Sequence, residues 1–136
     1  MARFLYYPCY VSLEYALNLY GVIPDVPFSL TLVTTKPTRQ FETPLGEFIY
    51  RKIKKEAFFG YDPETLMAEK EKALLDFLYL NGPHFSTDPK FWQELRLELD
   101  AIDFPKAFDY AKRFGKARLI TLLKTVMEYA KLGEFS

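Results

Sequence analysis

Glu69-Lys70-Glu71-Lys72-Ala73-Leu74-Leu75-Asp76-Phe77-Leu78-Tyr79-Leu80-Asn81-Gly82-Pro83 is the stretch on which the reading of this chain turns. Its apolar residues recur at helical spacing, which predicts a helix over about 69–80 that buries Ala73, Leu74, Phe77 and Leu78. Asn81-Gly82-Pro83 supplies the stop. The charges of the same stretch alternate in sign. Glu69, Glu71 and Asp76, with Lys70 and Lys72 between them, read as a solvated, salt-bridged helix face rather than an acid cluster with a chemical task.

Beyond this helix the pattern stays helical. Asp88 followed by Pro89 has the form of an N-cap and first helical position, with Phe91, Trp92, Leu95 and Leu99 as the apolar stripe behind it. Asp103 repeats the device for a helix that turns Phe104, Ala107, Phe108 and Ala111 inward and ends near Gly115. A last helix carries Ile120, Leu123, Val126, Met127 and Ala130 before Gly133. Toward the N-terminus the composition shifts to Pro, Thr, β-branched and aromatic residues. Ser12 is placed to cap a short helix in which Leu13, Ala16, Leu17 and Tyr20 share a face and Gly21 follows. Ser29–Val33 and Glu47–Ile53 read as strands, the second reached through a Pro44-Leu45-Gly46 turn, and the two are expected to form a long hairpin. The fold class is therefore α/β in the α+β sense. One domain, 1–136, would hold a small, mostly antiparallel sheet and a short helix in its strand-rich half, 1–68, packed by a helical half, 69–136.

With 136 residues, 49% of them hydrophobic and 18% aromatic, such a domain can bury a core without a metal or disulfide. Eighteen Lys and Arg balance eighteen Asp and Glu, so no net field would hold the chain on a polyanion and any such contact must be local. Cys9 is the single cysteine, which suits a reducing compartment and, with it, the cytoplasm. The apolar run in Met1–Pro8 is too short for a signal peptide, and no stretch reaches the roughly 18 apolar residues of a membrane span, so no membrane partner is expected.

The side chains that usually carry catalysis are sparse. His84, the one histidine, falls in a loop and reads as a surface residue. Cys9, between Pro8 and Tyr10, reads as a small buried hydrophobe. The six glycines are scattered rather than gathered into a phosphate loop, and no Cys/His spacing suits zinc. A metal-dependent nuclease would need carboxylates and a lysine converging at strand ends. The one triplet of that form, Asp88-Pro89-Lys90, sits at a helix start where Asp88 has a capping role, and Pro24-Asp25 has no strand-borne partner nearby. The reading is of a non-enzyme with no cofactor, no metal and no catalytic residue. A nuclease-like enzyme and a plain protein-interaction domain are its rivals.

One local charge excess stands out. Lys36, Arg39, Arg51, Lys52, Lys54 and Lys55 face only Glu42 and Glu47 over the same interval, with Thr34, Thr35, Thr38 and Tyr50 as neutral donors. Such residues contact phosphates, so this is the candidate nucleic-acid-binding surface. The alternative is an edge strand kept soluble by lysine. Phe58, Phe59 and Tyr61 around Gly60 read as core rather than as a docking patch.

The segments quoted also follow the order of a known family. Tyr10-Val11-Ser12-Leu13-Glu14-Tyr15-Ala16-Leu17 with Gly21, then Val33-Thr34-Thr35-Lys36 with Arg39 and Phe41, then Gly46-Glu47-Phe48-Ile49-Tyr50-Arg51, Phe58-Phe59-Gly60-Tyr61 and Glu71-Lys72-Ala73-Leu74-Leu75-Asp76 together resemble the AbiEi family. Its members are antitoxins and transcriptional regulators of bacterial and archaeal toxin–antitoxin and abortive-infection (phage-defence) systems. The similarity covers roughly 5–80 and continues more loosely through Phe104–Phe114 and Gly115. It implies the C-terminal antitoxin domain without the N-terminal winged helix that reads operator DNA. It also implies a positive surface that assists DNA binding, and a nucleotidyltransferase-like toxin as a functional, not necessarily physical, partner. Ser12, Gly21, Gly46 and Gly60 keep structural readings as a cap and turns.

Overall fold

The computed structural model describes residues 6–85 and 87–134; the apolar opening Met1–Leu5 lies outside the described residues. Among these, six strands form one mixed sheet: β1 (Cys9–Val11), β2 (Ser29–Thr34), β3 (Arg39–Thr43), β4 (Gly46–Lys52), β5 (Tyr61–Asp62) and β6 (Met67–Ala68), in the order β3-β4-β2-β1-β6-β5. Five helices accompany them: α1 (Leu13–Leu19) in the first half and α2 (Lys70–Asn81), α3 (Pro89–Leu95), α4 (Phe104–Phe114) and α5 (Ala117–Glu134) in the second. The fold is α+β with a helical C-terminal half, as the pattern of the chain predicts.

The expected hairpin is not the one that forms. The Pro44-Leu45-Gly46 turn is present, tightened by the Thr43 hydroxyl, which accepts from the Leu45 N–H and donates to the Gly46 carbonyl. The strand it returns from, however, is β3, which pairs antiparallel with β4. Because β3 is inserted between them in sequence, β2 and β4 run in the same direction and pair in parallel, Ser29 opposite Glu47 through Thr34 opposite Lys52. A second parallel pairing joins β1 to β6, and the β1–β2 and β5–β6 pairs are antiparallel.

Helix starts follow local chemistry. Asp88 accepts from the Lys90 N–H at 2.9 Å and Asp103 from the Lys106 N–H at 3.1 Å, each with Pro in the first turn. Gly115, at φ +69°, ends α4 in the left-handed conformation that a Cβ disfavours. Ser12 is the exception. It precedes α1 in extended geometry, but its hydroxyl does not cap the helix; Thr31 of β2 accepts from the Tyr15 N–H instead and donates to the Ser12 carbonyl. Tyr20 is not buried with the α1 stripe: it is 40% exposed and donates its hydroxyl to the Ala68 carbonyl. Leu99, expected on the α3 stripe, is buried but lies in the connector beyond Arg96.

The core lies between the sheet and α2. Ala73, Leu74, Phe77 and Leu78 are buried, as the spacing predicts, and so is Leu75 on the opposite side of the helix. Trp92, Ala107, Ala111, Phe114, Leu119, Leu122, Leu123 and Val126 complete the packing from α3, α4 and α5. With α1, α4 and α5 all packed against it, α2 has no solvated face along most of its length.

Candidate nucleic-acid interface

The strand register sorts the candidate residues by face, because side chains alternate along a strand while residues paired across strands share a side. Cys9, Thr34 and Lys52 form one row, and Val11, Leu32, Tyr50 and Arg39 another on the same face. Tyr10, Val33 and Arg51 form the intervening row on the other face. The Tyr10 hydroxyl and the Arg51 guanidinium both reach α2, so that second face is turned toward the helices.

The eight residues expected together therefore separate. Arg51 donates to the Leu80 carbonyl at 3.3 Å and Lys54 to the Phe114 carbonyl, which places each cation on the C-terminal turn of a helix, α2 and α4 respectively. Positive charge there complements the negative end of the helix dipole, so both have structural work. Thr34 is fully buried; it donates to the Pro8 carbonyl at 2.7 Å and accepts from the Lys36 N–H, leaving no free hydroxyl for a phosphate. Thr35 is half-buried.

Lys36, Arg39, Lys52 and Lys55 remain exposed. Lys36 and Arg39 gather over an aromatic base, with the Lys36 ammonium 5.0 Å from the Tyr6 ring centre and the Arg39 guanidinium 4.6 Å from that of Phe41. Tyr6 in turn packs edge-on against Phe41 and Tyr50. These cation–π contacts hold long side chains against the sheet while leaving their charge outward. Glu42 and Glu47 pair with each other across β3 and β4 in the row of Ser29, on the helix-facing side, and Glu47 accepts from Ser29 and Gln40. On the face turned from α2, Lys36, Arg39 and Lys52 gather toward the β3–β4 end of the sheet, whereas Asp62, the strand carboxylate of that face among the described residues, sits in the row of Val11 and Met67 at the opposite edge. Among the described residues none of these three cations or Lys55 is in an ion pair.

The charged stretch of α2 is a correction to the sequence reading. Glu71, Lys72 and Asp76 are not on a solvated face; their exposures are 2%, 0% and 0%. The Lys72 ammonium donates to Asp76 Oδ1 at 2.5 Å and to the Tyr10 hydroxyl at 2.7 Å, while Tyr10 and Ser12 donate to Asp76 Oδ2 at 2.9 and 2.8 Å. The rings of Tyr10, Phe59 and Phe114 surround the ammonium at 4.9 to 5.1 Å. Gly60, at φ +75°, closes the cage: a Cβ there would lie 2.8 Å from Lys72 Cγ. Burial works against both charges, pushing the Asp76 carboxyl above and the Lys72 ammonium below their ordinary values, and each partly restores the other. Burial first, and the Asp76 carboxylate second, push the Tyr10 phenol well above its usual value. Serine, lysine and aspartate in hydrogen-bond contact resemble an activated nucleophile. Here all four polar side chains are sealed from solvent, so the arrangement braces β1 against α2. Glu71 acts similarly on the neighbouring turn, its carboxylate accepting from the Asp103 N–H at 3.0 Å.

The remaining candidates fall where their chemistry predicts. Cys9 is buried in β1, and burial pushes its thiol up to about 11. His84 is exposed in the 3-10 turn after α2. Phe58, Phe59 and Tyr61 are half-buried against the core, with Tyr61 stacked on Tyr10 at 4.7 Å. Sequence reasoning missed the Tyr10–Ser12–Lys72–Asp76 cluster. The signal was that Leu75 and Tyr79 share the stripe of Lys72 and Asp76 at i, i+3, i+4, i+7, so that stripe was never purely polar. No protein-family model, curated protein or solved structure matches the chain.

Proposed function

We propose that this chain is a non-catalytic regulator domain of the antitoxin type, working in the cytoplasm, that meets the phosphate backbone of DNA through Lys36, Arg39, Lys52 and Lys55. The observation that carries the reading is the sorting of charge by face at the β3–β4 end of the sheet: Lys36, Arg39 and Lys52 on one side, Glu42 and Glu47 on the other, with Asp62 at the far edge. An edge strand kept soluble by scattered charge has no need of that sorting. The resemblance of the ordered motifs to the AbiEi family supports the regulator class, and in that reading a nucleotidyltransferase-like toxin is the functional partner. Base readout would belong to a winged helix, so the domain binds duplex weakly and without sequence preference.

Fluorescence anisotropy with a labelled duplex at low salt tests this. With three or four phosphates neutralised, the log–log salt slope is about −3 to −4. Charge reversal at Lys36 and Lys52 flattens it by about one unit for each phosphate that is no longer neutralised. No binding at high micromolar protein, or binding indifferent to those reversals, overturns the reading.

A further inference from the structure

A second cationic region lies away from the sheet, where α4 gives way to α5. Lys112-Arg113-Phe114-Gly115-Lys116-Ala117-Arg118 holds four cations within seven residues. The left-handed Gly115 turns the chain so that Lys116 and Arg118 come to the rim of a cleft of about 410 Å³, whose apolar wall includes Leu78, Leu80, Pro83 and Leu119. Leu78 and Leu119 are fully buried beneath it, so the accessible apolar surface of the cleft is that of Tyr79, Leu80 and Pro83. One guanidinium nitrogen of Arg118 is held by the Phe85 carbonyl at 2.6 Å, which fixes the fork in place and leaves its other donors to meet a ligand. Among the described residues neither Lys116 nor Arg118 is paired with a carboxylate.

We infer that this cleft binds an amphipathic carboxylate, its apolar body against Tyr79, Leu80 and Pro83 and its carboxylate beside Lys116 and Arg118. The volume lies within the roughly 300–1,000 Å³ of small-molecule sites, and an apolar wall with a few convergent polar groups is the lining such sites have. A planar guanidinium matches a planar carboxylate, and an adjacent ammonium adds charge without demanding a direction. A nucleic-acid strand would need cations spread along a track; here two line one largely apolar recess. The inference does not rest on the DNA reading and concerns different residues.

The test is a titration of the ¹⁵N-labelled full chain with decanoate, followed by amide shifts, with decan-1-ol and decyltrimethylammonium as the uncharged and cationic controls. Decanoate is expected to shift the amides of Leu80, Gly82 and Leu119 saturably, and to bind at least about tenfold more tightly than either control, a difference of about 1.4 kcal/mol. Lys116→Gln combined with Arg118→Gln should remove that preference, whereas Lys36→Gln combined with Lys52→Gln should leave it intact. Raising the salt concentration on the unmodified chain should weaken decanoate binding and leave decanol unchanged, which gives the same answer without a substitution. Equal affinity for decanol, shifts scattered over the surface, or no shifts at all would overturn the inference.

Discussion

Two stretches of this chain, 36–55 and 69–76, are both rich in lysine and both interleave it with glutamate, yet the fold treats them in opposite ways. In the first, Lys36, Arg39 and Lys52 stand on one face of the sheet in contact with water. In the second, Lys72 is the largest charged side chain among those fully buried, and Asp76 is sealed beside it. Charge pattern alone does not separate the cases; what surrounds the helix does. A strand at the sheet edge can always turn one side to solvent, whereas a helix enclosed by α1, α4, α5 and the sheet must either bury its charges or pair them.

The largest effect on this contrast is expected from Asp76→Ala. It leaves the Lys72 ammonium buried without its counter-charge and strips Tyr10 and Ser12 of their acceptor, which should destabilise by about 3 to 5 kcal/mol. Urea midpoints are the measurement. Replacing both partners by apolar residues, Lys72→Met with Asp76→Leu, should recover most of that loss, because a buried pair can cost as much to desolvate as it returns. A single variant near the parental midpoint would mean that the cluster is hydrated.

A smaller effect comes from the row that runs from Cys9 through Thr34 to Lys52, sealed at one end and open at the other. Burial raises the Cys9 thiol from 9.0 to about 11, so the folded chain holds this proton where the unfolded chain has released it. A raised value means stability that is complete below about pH 9 and is lost as the pH climbs to about 11. At about 1.36 kcal/mol per unit the loss is about 2 to 3 kcal/mol. Tyrosines and lysines of the unfolded chain ionise over the same range, so the quantity to follow is the stability difference between the parent and Cys9→Ala. That difference should shrink by this amount between pH 9 and pH 11; a constant difference would show that the thiol is hydrated.

How much of this was legible beforehand depends on how far each feature reaches along the chain. The caps Asp88 and Asp103 and the Gly115 stop act within one helical turn, and each stands where the local pattern places it. The apolar stripe of α2 was likewise legible from its own spacing. The β2–β4 pairing was not, because a turn signal names where the chain reverses but not which earlier strand it returns beside. The buried cluster was hidden for the same reason: Tyr10 and Ser12 lie 66 and 64 residues from Asp76, so no local window contains both halves. Thr34, Arg51 and Lys54 left the candidate surface through hydrogen bonds of that long-range kind.

Within the basic stretch itself, two near neighbours should behave differently. Lys54→Ala removes the cation from the last carbonyl of α4 and should cost about 1 kcal/mol, the scale of a charge at a helix C-terminus. Thermal unfolding of Lys54→Ala beside Lys52→Ala reads the difference directly. Equal effects would show that the Phe114 contact contributes nothing.

The smallest expected change in stability is the most informative about function. Lys52 is exposed, carried on the face turned from α2 and, among the described residues, in no ion pair, so Lys52→Glu should move the folding free energy by no more than about 0.5 kcal/mol, as surface substitutions do. If the same residue meets a phosphate, the reversal must nevertheless flatten the salt dependence of duplex binding by about one unit, since one fewer counterion is released. The two measurements together separate a residue that holds the fold from one that faces a partner. Lys54→Ala should lower stability, whereas Lys52→Glu should leave stability alone and weaken binding most at low salt, where unscreened charge reaches furthest. A Lys52→Glu chain with parental stability and an unaltered salt slope would reduce the exposed lysines of this face to solubility.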